Sequence, residues 1–439
     1  MSSVSRRNFI RLVAGAGATS ALALAGCKTP TEAGKAGGNV IVIGGGFGGA
    51  TCARYLKKFD PSVNVTLIET NKVYHTCPGS NWVLGGMQGM DRIAHGFSKI
   101  EAEGVDVVHD WVTSIDPDAR KVNLKGGGSM TYDRLVVSPG IDFRFDTIEG
   151  YDAQASGSVP HAWKAGPQTE LLRRQLEAMP DGGTFVLASP PNPFRCPPGP
   201  YERVSLIAHY FKTEKPKSKI IILDSKPKFS KQGLFTAGWS TFYGFGTDDS
   251  MIDWIPAPDG TVTRVDVKKK IAYAGGDSGF EQEIEADVLN VIPAQKAGAI
   301  AHAAGLADDS GWCPVDQMSF ESKIHKNIHV IGDSSIAAPL PKSGYAANSE
   351  AKVAAAAIVN LLQGKAPDEP TYVNTCYSLI TPDYGISVAM VYDSVDGKVS
   401  KVKGSGGLTP KDGDNSLAAI YTRNWYDNVT NDIWGTGSI

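Results

Sequence analysis

One segment constrains this chain more than any other: the β-branched run Val40-Ile41-Val42-Ile43 passes directly into Gly44-Gly45-Gly46-Phe47-Gly48-Gly49. Branched side chains on consecutive positions leave no face for water, so the run predicts a strand buried on both sides, as in a parallel sheet. The glycines fit G-x-G-x-x-G. Gly44 allows the tight turn, Gly46 lets the backbone approach a pyrophosphate, and Gly49 permits close packing of the following helix, whose N-terminus then faces the phosphates. A second strand, Val65 to Ile68, ends at Glu69, about 20 residues on, where a carboxylate binds ribose hydroxyls. Together these features predict a βαβ unit that holds a dinucleotide.

At 439 residues the chain exceeds one such unit, since domains run to roughly 150 residues. Leu135-Val136-Val137 is another buried run, ending in the turn Ser138-Pro139-Gly140. Thr184 to Ala188 and Lys219 to Leu223, separated by a helical stretch from Tyr201 to Phe211, predict a second nucleotide-type fold in mid-chain. Ile328 to Asp333 returns to a buried strand, and a helix follows over Ala346 to Leu362, stopped at Gly364. Aromatic and aliphatic residues alternate from Tyr384 to Tyr392. The expected class is α/β, with two Rossmann-like dinucleotide-binding domains and a small α+β C-terminal domain. The boundaries read as 39–157 and 293–369 for the first domain, 158–292 for the second and 370–439 for the C-terminal cap.

Ahead of the first strand, Ser5-Arg6-Arg7-Asn8-Phe9-Ile10-Arg11 and the apolar run to Gly26 read as a twin-arginine export signal over 1–27. The run is short and glycine-rich against the roughly 20 apolar residues of a spanning helix. That route carries folded proteins, which suits a periplasmic protein that takes up its cofactor before export. Leu24-Ala25-Gly26-Cys27 also has the form of a lipobox, so Cys27 is either a lipid anchor or an ordinary residue of the cleavage site. Residues 28–38 read as a solvated linker. A net charge of -3 leaves no basic excess to neutralise nucleic-acid phosphates.

Gly332-Asp333, at the end of the returning strand, favours FAD over NAD, because flavoproteins with two dinucleotide folds place such an aspartate at the ribityl chain. Pro341-Lys342-Ser343-Gly344 then leads into the long helix, whose positive N-terminal end would face the flavin and stabilise its reduced, anionic form. The candidate cofactor contacts are therefore Gly44, Gly46, Gly49, Glu69, Gly140, Gly332, Asp333, Lys342 and Ser343. The middle fold differs, since its first strand runs into Ser189-Pro190-Pro191-Asn192-Pro193-Phe194-Arg195-Cys196-Pro197-Pro198-Gly199-Pro200. Prolines remove the N–H donors that a pyrophosphate needs. No nicotinamide cofactor is expected there, and no metal ion.

Without Cys27 the cysteines are Cys52, Cys77, Cys196, Cys313 and Cys376, an odd number. Cys52, behind the glycine turn, and Cys313 read as packed core residues. The motifs Tyr74-His75-Thr76-Cys77, Pro160-His161-Ala162-Trp163-Lys164-Ala165-Gly166, Phe194-Arg195-Cys196-Pro197-Pro198-Gly199-Pro200-Tyr201-Glu202-Arg203 and Asn374-Thr375-Cys376-Tyr377 resemble the flavoprotein subunit of flavocytochrome c sulfide dehydrogenase, of the glutathione-reductase-like superfamily. The resemblance covers nearly the whole chain after the export signal.

It implies that Cys77 carries FAD covalently through a thioether to the 8α carbon. It also implies that Cys196 and Cys376 form a redox-active disulfide beside the flavin ring, and that Glu202 is an acid/base group. The implied reaction is oxidation of sulfide to sulfur or polysulfide, with electrons passed to a c-type cytochrome subunit. This chain has no C-x-x-C-H, so the haem would sit on that partner. Plainer readings stay open: a static disulfide between Cys196 and Cys376, and a Glu202 exposed on a first helical turn. Two other functions do as well: a sulfide:quinone oxidoreductase, or a non-catalytic flavoprotein that relays electrons or assists assembly. Against the quinone enzymes' amphipathic membrane segment, the stretch from Trp425 to Ile439 reads as short and polar.

Overall fold

In the computed structural model, which describes residues 37–276, 279–410 and 413–435, the glycine motif joins strand β1 (Asn39–Ile43) to helix α1 (Phe47–Phe59). The export signal and the Cys27 lipobox lie outside the described residues. Strands β2 (Asn64–Ile68), β3 (Asp106–Val108) and β4 (Arg134–Val137) follow. β1 pairs in parallel with β2 on one side and β4 on the other, which is why its residues from Val40 to Ile43 are all buried. A run with no polar face is stable only at such a central position.

The chain next builds a second parallel sheet from β5 (Thr184–Ser189), β6 (Lys219–Asp224), β7 (Ile252–Ile255) and β8 (Val288–Val291), in the order β7-β6-β5-β8. Helices α2 (Gly199–Glu214) and α3 (Gln232–Tyr243) connect its first strands. α2 begins two residues before the expected Tyr201, because Pro200 occupies the first turn, where a missing N–H costs nothing. Strand β9 (Ile328–Val330) then pairs with β4, which completes the first sheet as β9-β4-β1-β2-β3.

Helix α4 (Gly344–Leu362) packs on α1. Antiparallel strands β10 (Thr371–Thr381), β11 (Tyr384–Val395) and β12 (Lys398–Lys401) come next, and α5 (Asn415–Trp434) closes the chain's described part. Within the segment read as a short polar tail, the residues from Trp425 to Trp434 are the second half of α5. Tyr426, Val429, Thr430, Ile433 and Trp434 are buried at the i, i+3, i+4, i+7, i+8 spacing of a helix face. None of the described helices is long and apolar enough to cross a membrane.

Candidate active site

The turn after β1 opens one wall of a cavity of about 470 Å³. Gly44 has φ of +97°, and a Cβ there would lie 2.3 Å from the Ser138 carbonyl oxygen. At Gly49 a Cβ would lie 1.9 Å from the Gly44 carbonyl oxygen, so only glycine lets α1 start this close to the turn. Gly44, Gly46, Glu69, Gly140, Gly332 and Asp333 line the cavity. The Glu69 carboxylate accepts the Gly45 N–H at 2.7 Å and the Asn71 N–H at 2.9 Å, and this fixes it at the rim where a ribose would lie.

Two buried polar atoms test what the cavity takes. Among the described residues Asp333 Oδ1 and Arg195 Nε have no hydrogen-bond partner, and both side chains line the cavity, with Arg195 Nη1 3.9 Å from Asp333 Oδ2. Buried polar atoms are satisfied as a rule, so a polyhydroxy chain such as the ribityl of FAD fits here. Burial pushes the Asp333 carboxyl pKa up, and Arg195 and Lys342 oppose that rise.

Lys342 and Ser343 serve differently from expectation. Lys342 Nζ donates to the carbonyls of Asp333 and Ser335 at 2.7 and 2.9 Å. Ser343 is the N-cap of α4, accepting the Ala346 N–H at 3.0 Å. Lys342 shapes the Asp333 turn from behind, Ser343 caps α4, and neither lines the cavity. Helix α4 starts at Gly344, two residues before the expected Ala346, because of this cap.

Cys77 lies on the cavity wall, with its thiol 3.4 Å from the Trp163 carbonyl oxygen. The Pro78-Gly79 pair that follows makes a turn, with Gly79 at φ of +83°, and Ser80 N–H closes it on the Cys77 carbonyl at 3.1 Å. Cys196 is also in the left-handed region, at φ of +59°. Its N–H donates to the Lys342 carbonyl at 2.7 Å. Cys376 sits on β10, and Asn374 Nδ2 donates to its Sγ at 3.4 Å.

Cys52, Cys77, Cys196, Cys313 and Cys376 all carry free thiols, so the Cys196–Cys376 pair is present as two thiols and not as a bond. The pair is nonetheless gathered. Burial holds the Cys196 thiol well above the usual pKa, and charges on Cys77, Glu202 and Cys376 push the same way while Lys231 opposes them. Cys52 and Cys313 are fully buried, as expected of core residues.

Glu202 does not lie on an exposed turn. One oxygen accepts Asn81 Nδ2 at 3.0 Å and the other accepts the Leu379 N–H at 3.0 Å. Burial raises its pKa against those two donors, which leaves a carboxyl able to hold a proton beside the sulfurs. Sequence reasoning missed Lys231, Arg195 and Asn81, which complete this arrangement. No local pattern marks Lys231, whose partners Cys376 and Ser378 are 145 and 147 residues away.

The second fold uses its own strand-end carboxylate differently. Asp224, which ends β6 as Glu69 follows β2, is fully buried. Its carboxylate accepts the Tyr201 hydroxyl at 2.6 Å and Trp254 Nε1 at 3.0 Å, and pairs with Lys226 at 2.6 Å.

Three family models match this chain. Residues 38–173 match the pyridine nucleotide-disulphide oxidoreductase model. Residues 169–293 match the central region of the sulfide dehydrogenase (flavocytochrome c) flavoprotein chain, and 368–434 match the flavin-binding region of flavocytochrome c sulphide dehydrogenase. The sulfide dehydrogenase (flavocytochrome c) flavoprotein chain of Chlorobaculum thiosulfatiphilum is 59% identical over 44 residues, 10% of this chain and 92% of that sequence. The mitochondrial sulfide:quinone oxidoreductase of Mus musculus is 24% identical over 315 residues, 67% of this chain and 65% of its own length. The solved sulfide:quinone oxidoreductase of Aquifex aeolicus shares the fold, with a TM-score of 0.70 at 18% identity over 91% of this chain and 93% of that one.

Proposed function

We propose, from the premise that this chain belongs to the flavocytochrome c sulfide dehydrogenase flavoprotein family, that it is an FAD-dependent enzyme oxidising sulfide and passing electrons to a c-type cytochrome subunit. One observation carries this reading: Cys77 lines the cavity that the glycine turn and Asp333 shape, and Cys77, Glu202 and Cys376 all lie within electrostatic reach of Cys196. Gly44, Gly46, Glu69, Gly140, Gly332 and Asp333 would hold the FAD, and Cys77 would tether it through a thioether. Bound FAD supplies the step from a two-electron donor to a one-electron acceptor.

The chain's own chemistry is thiol–disulfide exchange. With Cys196 and Cys376 oxidised to a disulfide, hydrosulfide attacks one sulfur, the S–S bond breaks, and its electron pair leaves on the other as a thiolate. Glu202, held by Asn81 and Leu379, takes the proton that hydrogen sulfide must lose to become a nucleophile. The persulfide is released as polysulfide or sulfur by a second nucleophile. Export by the twin-arginine route, a periplasmic site and a Cys27 lipid anchor belong to the same proposal.

The test is sulfide-dependent reduction of cytochrome c by the purified protein. We expect activity in the wild type and its loss in Cys196→Ser and Cys376→Ser; unchanged activity in either variant removes the disulfide from the mechanism. Acid precipitation checks the tether, since a yellow pellet is expected and a yellow supernatant refutes it. The likeness to sulfide:quinone oxidoreductases supports one competing acceptor, a quinone. Faster turnover with a soluble quinone than with cytochrome c would select it.

A further inference from the structure

Lys226 and Lys231 are both buried, 5% and 6% exposed, although lysine is almost never buried without a partner. Lys226 has one, the Asp224 carboxylate. Lys231 donates only to neutral oxygens, the Cys376 carbonyl at 2.9 Å and the Ser378 hydroxyl at 2.9 Å. Among the described residues no carboxylate ion-pairs with it, and the only other cationic contact is the Phe235 ring at 5.6 Å. A buried ammonium without a counter-ion is costly. The groups whose charge reaches it are Cys376 on β10, Glu202 on α2 and Cys196 in the turn before α2, with Cys376 the strongest.

We infer that Lys231 is a positioning residue of the sulfur centre, whose ammonium holds the Cys376 main chain in place and balances the negative charge that reaches Cys376 Sγ when the disulfide opens. The inference rests on the exchange reading above. Hydrosulfide brings one negative charge, its sulfur bonds to Cys196, the S–S bond breaks, and the electron pair and the charge move to Cys376. The Asn374 amide N–H already points at that sulfur. Charge and donor together favour departure of Cys376 over departure of Cys196, which has Glu202 and Cys77 for neighbours. Burial pulls the Lys231 pKa down to about 8, and the facing thiols and Glu202 resist the fall.

The experiment uses the full-length holoprotein, reduced, and follows iodoacetamide alkylation of Cys376 by peptide mass spectrometry. Near neutral pH, Lys231→Met is expected to slow alkylation by about tenfold, the effect of a one-unit change in thiolate availability. Lys231→Arg keeps a charge that does not titrate and is expected to restore the rate, and to preserve it above pH 8 where the wild-type lysine loses its proton. Ser378→Ala removes one anchor and is expected to slow alkylation less, which covers the case of an unfolded Lys231→Met. Equal rates in wild type, Lys231→Met and Ser378→Ala, with unchanged melting temperatures, would overturn the inference. This readout needs no sulfide turnover: an inactive wild type that still shows the alkylation pattern fails the proposed function alone, whereas an active one without the pattern fails this inference alone.

Discussion

The two nucleotide-type folds of this chain repeat one plan and put it to opposite uses. Each runs strand, turn, helix, strand, and each places a carboxylate at the end of the second strand, Glu69 in the first and Asp224 in the second. In the first the turn is glycine and the carboxylate faces a cavity. In the second the turn is proline-rich, and Tyr201, Trp254 and Lys226 consume the carboxylate. The second turn then reaches across and delivers Arg195 to the first fold's cavity, with Cys196 next to it in the chain. The comparison teaches that topology sets where a ligand site can form, while the N–H inventory of the turn and the side chains in the crevice decide whether one does.

The sharpest way to break this comparison is Asp224→Ala. It leaves the buried Lys226 ammonium unpaired and should destabilise the protein by about 3–5 kcal/mol, measured from urea unfolding midpoints; a neutral result would mean that the second carboxylate is not part of the core. Glu69→Ala should do the reverse, folding normally but binding FAD about 1–3 kcal/mol more weakly through loss of its hydrogen bonds. Flavin fluorescence titration in a Cys77→Ser background, where no thioether can form, measures this.

Per pH unit the smallest effect concerns Glu350, which accepts the Gly332 N–H at 2.7 Å behind the Asp333 turn. Burial lifts its pKa from 4.5 to about 8. Between those values the native state keeps a proton that the unfolded chain has lost, so stability falls as pH rises across this window. The slope is at most about 1.4 kcal/mol per pH unit. Melting temperatures over this range should fall less steeply in Glu350→Gln, and identical slopes would exclude Glu350 as the cause.

The first fold was legible because every signal in it is local: a branched run, glycines at fixed spacing, an acid at the next strand's end. Asp333 was legible for the same reason. The sulfur centre was legible only through the resemblance, because Cys196 and Cys376 come together through the tertiary fold and no local pattern joins them. Lys231 was not legible, because its burial depends on Cys376 and Ser378, 145 and 147 residues away. Lys342 and Ser343 were assigned to the cofactor from position, yet capping α4 and closing the Asp333 turn already use their polar groups. The burial of α5 was readable and overlooked: the spacing from Tyr426 to Trp434 is that of a buried face, concealed by the polar residues between.

That last helix reaches the first turn. Trp434 Nε1 donates to the Gly45 carbonyl at 3.2 Å, its ring stacks on Tyr74 and His95, and Arg54 of α1 donates to the carbonyls of Asn431 and Asp432. Gly45 and Trp434 are 389 positions apart, so at about 5–20 residues per second a ribosome makes the brace roughly 20–80 s after the turn it supports. The nascent chain therefore carries a complete glycine motif long before it carries the helix that braces it.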